Sequence, residues 1–233
     1  MFTDLPATLY TASIWVIPVI VAITFHEAAH GYVAHLCGDD TAWVLGRVSF
    51  NPLRHVDPFG TILLPGLLFL IQSPFLFGFA KPVPVNFGAL RHPRRDMVWV
   101  ALAGPGINIV MALGAALGLH LADLVPGGAG EWLRDSLLVA IEINVFLAVF
   151  NMLPLPPLDG GRVAVGLLPR NLALPLARTE RFGFVIIIGL LFVLPLVGDQ
   201  IGVPLDFLGS LIGGAGSGVV DGVLWITGNG DVV

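Results

Sequence analysis

A chain of 233 residues with 56% hydrophobic and only 12% charged residues falls far below the roughly 25% charge of a soluble domain, and reads as a single polytopic membrane domain over 1–233. Its net charge of −5 comes with no basic stripe interleaved with aromatics, which argues against a nucleic-acid partner. Cys37 is the only cysteine, so an internal disulfide and a thiolate metal cluster are both excluded.

The first apolar stretch, 9–37, is long enough to span a bilayer. No Lys or Arg precedes it, so it lacks the basic flank of a cleavable signal and is expected to stay. Inside it lies His26-Glu27-Ala28-Ala29-His30. Residues four apart share a helix face, so His26 and His30 can offer two imidazoles to one metal while Glu27 stands beside them to handle a proton. Ionisable groups at this depth are costly and mark function. At about 1.5 Å per residue, His26 lies roughly two-thirds of the way across.

The stretch 61–79 is equally apolar but is broken by Pro65, Gly66 and Pro74. If it dips into the membrane and returns, ten of the eleven Lys and Arg residues fall on one side and only Arg134 on the other. The positive-inside rule then favours a re-entrant region over 40–96, an N-terminus outside and both basic regions in the cytoplasm. Between Lys81 and Phe87, alternate prolines leave N–H groups on one edge only, at Val83 and Val85. This segment is expected to be a one-edged strand, with Trp43 to Phe50 as its partner, or else a plain proline-rich loop.

Further spans are expected at 97–122, 136–155 and 182–198, and the Gly-rich tail 201–226 is either a poor final span or a surface segment. In Gly104-Pro105-Gly106-Ile107-Asn108 the glycines read as close helix packing, and Asn144 reads as an interhelical hydrogen-bonding residue. The expected fold is all-α and polytopic, with C-terminal helices over 182–226 and a small re-entrant β-containing loop.

A catalytic zinc site takes three protein ligands and leaves one position for water. The best third candidate is Asp159, in Asn151-Met152-Leu153-Pro154-Leu155-Pro156-Pro157-Leu158-Asp159-Gly160-Gly161, where prolines end a span and glycines free the turn. His55 is kept in view as a pocket lining or transient ligand, although a loop histidine is the plainer reading. His35, His92 and His120 look like interface, loop and helix-end residues.

The pentad at 26–30, Gly104-Pro105 with Asn108, and the ungapped N-x-x-P-x-P-x-L-D-G pattern over 151–160 together resemble the site-2 protease family of intramembrane zinc metalloproteases, in its compact bacterial and archaeal form. The resemblance implies one zinc on His26, His30 and Asp159, with Glu27 as catalytic base. It also implies a three-helix catalytic core over 9–160 and the β-containing loop, and makes Asn151 and Asn108, with the strand edge at Val83 and Val85, candidates for holding substrate or an oxyanion. Implied partners are transmembrane protein substrates and the lipid bilayer of the cell membrane. The connection 123–135 is too short for the PDZ domain that many bacterial members carry there. Two other readings stay open: a metal or ion transporter, and an inactive relative that binds membrane helices without cutting them.

Overall fold

The computed structural model describes residues 5–70, 78 and 80–232, and every regular element among them is helical. Helix α1 spans Leu5–Leu36. Trp15, Val16, Ile17, Ile20 and Val21 all project from it exposed, which suits a helix solvated by lipid rather than one with a single apolar stripe. A short α2 (Thr41–Val44) follows. Next, a π-helical turn, Pro58–Leu63, leads into α3 (Leu64–Leu70). Asp57 caps that turn by accepting from the N–H groups of Phe59 and Gly60 at 3.0 and 2.7 Å.

The remaining helices are α4 (Pro93–Ala122), α5 (Gly128–Asn151), α6 (Asp159–Leu167) and α7 (Arg170–Arg178). Then α8 (Glu180–Ile188) continues through a π-turn, Gly189–Val193, into α9 (Leu194–Ile201), and α10 (Phe207–Ile226) ends the bundle. Among the described residues four helical runs are long and apolar enough to cross a membrane: Pro6–Leu36, Pro93–Ala122, Glu180–Ile201 and Phe207–Ile226. The open question of the tail thus resolves into a helix of spanning length. The span expected at 136–155 is α5, which begins earlier and carries Glu131, Arg134 and Asp135 in its opening turns. It is not among the four, although it packs against both α1 and α4.

The core lies between α4, α5 and α10. Ala112, Ala115 and Ala116 let Leu119, Ile141, Val145, Val223 and Leu224 close over them, the close approach through small residues that drives helix association in lipid. At one end of the bundle Tyr10 donates to Asp135 (2.7 Å) and the Trp132 indole donates to Ser13 (2.8 Å). The N-termini of α1 and α5 therefore sit together and the two helices run in the same direction. Arg134 pairs with Asp123 at this end, 2.8 Å away.

The expected β-containing loop is corrected. Residues 80–86 form no strand, and Trp43 and Val44, expected in the partner strand, belong to α2. The segment is instead strapped down by other groups. The Lys81 N–H donates to the His55 carbonyl (2.9 Å), the Arg47 guanidinium donates to the carbonyls of Lys81 (2.8 Å) and Pro82 (3.4 Å), and the Asn86 N–H donates to Asp39 (2.6 Å). With Pro82 and Pro84 supplying no N–H and these groups partnered, the backbone has little left to offer a ladder. Of the predicted re-entrant stretch, 71–77 and 79 lie outside the described residues.

The turn between α5 and α6 is clamped by α8. A Cβ added to Gly183 would meet the Pro156 carbonyl oxygen at 1.9 Å, whereas one at Gly216 of α10 meets nothing within 4 Å. Gly183→Ala is therefore expected to cost about 1–3 kcal/mol of stability and Gly216→Ala to cost nothing, as read by thermal melting in detergent.

A candidate metal centre

His26, His30 and Asp159 are buried and their ligand atoms converge. Nε2 of His26 and Nε2 of His30 are 3.0 Å apart, and each lies 3.3 Å from Oδ2 of Asp159. Four tetrahedral bonds of about 2.0–2.1 Å place neighbouring ligand atoms roughly 3.3 Å apart, so this triangle fits one zinc-sized cation. Asp159 Oδ2 is moreover a buried atom with no hydrogen-bond partner among the described residues, a costly state for a carboxylate unless a cation meets it.

The far side of each imidazole decides which nitrogen faces the metal. Nδ1 of His30 lies 2.7 Å from the Val100 carbonyl, which can only accept, so Nδ1 carries the hydrogen and Nε2 the lone pair. His26 reaches the same state through a relay. The Ala140 carbonyl accepts from Nδ2 of Asn144 (2.8 Å), which makes Oδ1 of Asn144 the acceptor for Nδ2 of Asn108 (2.7 Å). Oδ1 of Asn108 is left to accept from Nδ1 of His26 at 2.6 Å. Asn108 and Asn144 are 0% and 1% exposed, so no water competes for these bonds. Asn108 thus sits behind His26 and does not border the cavity as a substrate-binding group.

Gly104 makes the arrangement possible. A Cβ there would lie 2.4 Å from Nε2 of His30 and 2.6 Å from Nε2 of His26, so the glycine read above as packing leaves the volume that the imidazole pair occupies. The site opens into a cavity of about 310 Å³ whose lining includes Glu27, Pro82, Val83, Val85, Asn151 and Arg162. Oε2 of Glu27 accepts the Val83 N–H at 2.7 Å. Asn151 gives one amide hydrogen to the Leu147 carbonyl (3.0 Å), keeping the other and its Oδ1 for a ligand. His55 is not in this cavity; it is 3% exposed and borders a separate pocket.

Two contributors escaped the sequence reading. Asp39, 0% exposed, accepts from the Thr41 hydroxyl (2.5 Å), the Thr41 N–H (3.0 Å) and the Asn86 N–H (2.6 Å), and so ties the strap to the end of α1. Burial raises its carboxyl, and the Thr41 and Asn86 donors bring it below the ordinary value. Arg162, one turn after Asp159, stands at the cavity with its guanidinium 5.4 Å from the Phe87 ring centroid and 3.7 Å from Glu180. Asp39 follows Gly38, whose φ is 106°, and an aspartate just past a helix-ending glycine is the one signal that marked it.

These features make a group that could hold a metal ion, with two of its three residues and a neighbouring carboxylate on a helix long and apolar enough to cross a membrane. The chain belongs to peptidase family M50, the site-2 protease family: the model of that family matches residues 123–195, which hold Asp159 but not the pentad. It is 39% identical to YwhC of Bacillus subtilis over 189 residues, covering 78% of this chain and 80% of the relative. It is 30% identical to Rip2 of Mycolicibacterium smegmatis over 173 residues (74% and 64%) and 31% identical to MJ0611 of Methanocaldococcus jannaschii over 143 residues (60% and 62%). Each of the three is named "Putative zinc metalloprotease". No solved structure matches the chain.

Two substitutions separate the roles. Asn108→Ala is expected to weaken zinc binding about 10- to 100-fold in chelator competition. Gly104→Ala is expected to drop zinc content well below that of Gly106→Ala, whose added Cβ meets nothing within 4 Å.

Proposed function

We propose that this protein is an intramembrane zinc metalloprotease that cuts peptide bonds within or next to transmembrane helices of other membrane proteins. The observation that carries the reading is the joining, in one cavity, of the His26–His30–Asp159 triangle with Glu27, on a helix long and apolar enough to cross a membrane. His26, His30 and Asp159 would hold one zinc per chain, which supplies Lewis acidity toward a scissile carbonyl and acidifies a water.

Glu27 acts as the base. Its Oε2 is fixed by the Val83 N–H, which leaves Oε1 to take a proton from the attacking water and later return it to the leaving amine. Asn151 offers its remaining amide hydrogen to the carbonyl oxygen as charge develops there. The Nδ1 atoms of both histidines are held by Asn108 and the Val100 carbonyl, which in the neutral rings turns the Nε2 lone pairs toward the zinc position.

Substrate helices hold their amides in internal hydrogen bonds, so the bond to be cut must first unwind, which favours substrates with helix-weakening residues. The unwound segment would then pass the side chains of Val83 and Val85, which border the cavity. Placing ten of the eleven basic residues in the cytoplasm puts the N-terminus outside and the site in the cytoplasmic half of the cell membrane, with water entering from that side.

Glu27→Gln should keep zinc and lose about 10²- to 10⁴-fold in cleavage of a model transmembrane substrate in detergent. A variant with full activity would contradict the assignment.

A further inference from the structure

His55 has a lone pair with nothing to accept. Its Nε2 lies 2.8 Å from the Ser49 carbonyl, which can only accept, so in the neutral ring Nε2 carries the hydrogen and Nδ1 is an acceptor. That Nδ1 is buried without a partner among the described residues, in a residue only 3% exposed. The ring borders an apolar cavity of about 350 Å³ whose walls include Ile20, Ile23 and Thr24 of α1 with Leu53 and Val56. A lone acceptor in an apolar chamber is costly unless a donor arrives in an apolar carrier.

This chamber and the metal cavity share two walls. Ile20, Ile23, Thr24 and Glu27 recur at helical intervals and lie on one face of α1. Ala80 borders the chamber, while Pro82 and Val83 of the same strap border the metal cavity. An extended chain drawn along this face therefore meets both. From Ile23 to Glu27 the helix rises roughly 6 Å, and two residues of extended chain advance roughly 6.6 Å.

Resting on the proteolytic reading above, we propose that the pocket beside His55 is a specificity subsite. It takes a substrate side chain with an apolar body and a hydrogen-bond donor at its tip, tyrosine or tryptophan, two residues from the bond that is cut. The phenol or indole fills the apolar walls and donates to Nδ1 of His55. An acyl chain would fill the walls and leave the nitrogen unpaired.

The test uses the full chain, zinc-loaded, in lipid nanodiscs. Otherwise identical transmembrane substrates carry Tyr, Phe or Ala in turn at each position around a mapped cleavage site, and kcat/KM is measured for each. At one of the two positions two residues from the bond, Tyr should exceed Phe by about tenfold, and His55→Leu should bring that ratio close to one. Val56→Phe, which fills the chamber and leaves His55 in place, should turn the preference at that position toward Ala. A Tyr-to-Phe ratio near one at both positions in the wild type, or one unchanged in His55→Leu, overturns the subsite. So does a lipid or detergent molecule that co-purifies with the wild type and is lost from both variants, with no Tyr preference. Cleavage of none of the substrates by the wild type overturns the proteolytic reading instead, and the subsite with it.

Discussion

Everything in this molecule answers to the difficulty of placing two imidazoles and two carboxylates on apolar helices where water is scarce. A polar atom there is tolerable only if each of its hydrogen-bonding positions is met. The structure meets them one at a time. Val100 and Asn108 take the outer nitrogens of His30 and His26, Asn144 fixes Asn108, the Ala140 carbonyl fixes Asn144, and Val83 donates to Glu27. What remains over is the set of inner atoms, Nε2, Nε2 and Oδ2, all lone pairs and all pointing at one place. A cation is the ligand that such a set lacks.

The same constraint explains why α4 and α5 matter as much as the helix that bears the pentad. Gly104 removes the atoms that would collide with the imidazoles, and α5 both supplies Asn144 and ends in the turn that carries Asp159 inward. Gly183 of α8 then presses on that turn at the Pro156 carbonyl. The helices that create the candidate metal centre are thus locked by contacts a few residues from His26, His30 and Asp159, and a site on rigid helices holds its geometry more closely than one on loops.

Much of this was legible in the chain. The His26–His30 pair was readable because helical spacing leaves little freedom, and Asp159 because a carboxylate among prolines and glycines at the end of a span has few other uses. The purpose of Gly104 was not, since the groups it makes room for come from a different helix and local sequence shows only a glycine. Asn108 reads as a substrate or oxyanion candidate for the same reason: its partner His26 is remote in sequence. The one-edged character of 81–87 is legible in its prolines, but no strand forms, because Arg47, Asp39 and the His55 carbonyl take the groups that a ladder would need. The early start of α5 was hidden by its charged first turns, which resemble a loop until Tyr10 and Trp132 are seen to bind them to α1.

The central claim is that Nε2 of His26, Nε2 of His30 and a carboxylate oxygen of Asp159 hold one zinc. X-ray absorption at the zinc edge on purified protein tests it most directly. The account predicts one zinc per chain with a first shell of nitrogen and oxygen only, at about 2.0–2.2 Å, showing the scattering of two imidazoles and losing one light ligand in Asp159→Asn. A shell containing sulfur, a shell without imidazole, or a spectrum unchanged in Asp159→Asn would contradict it.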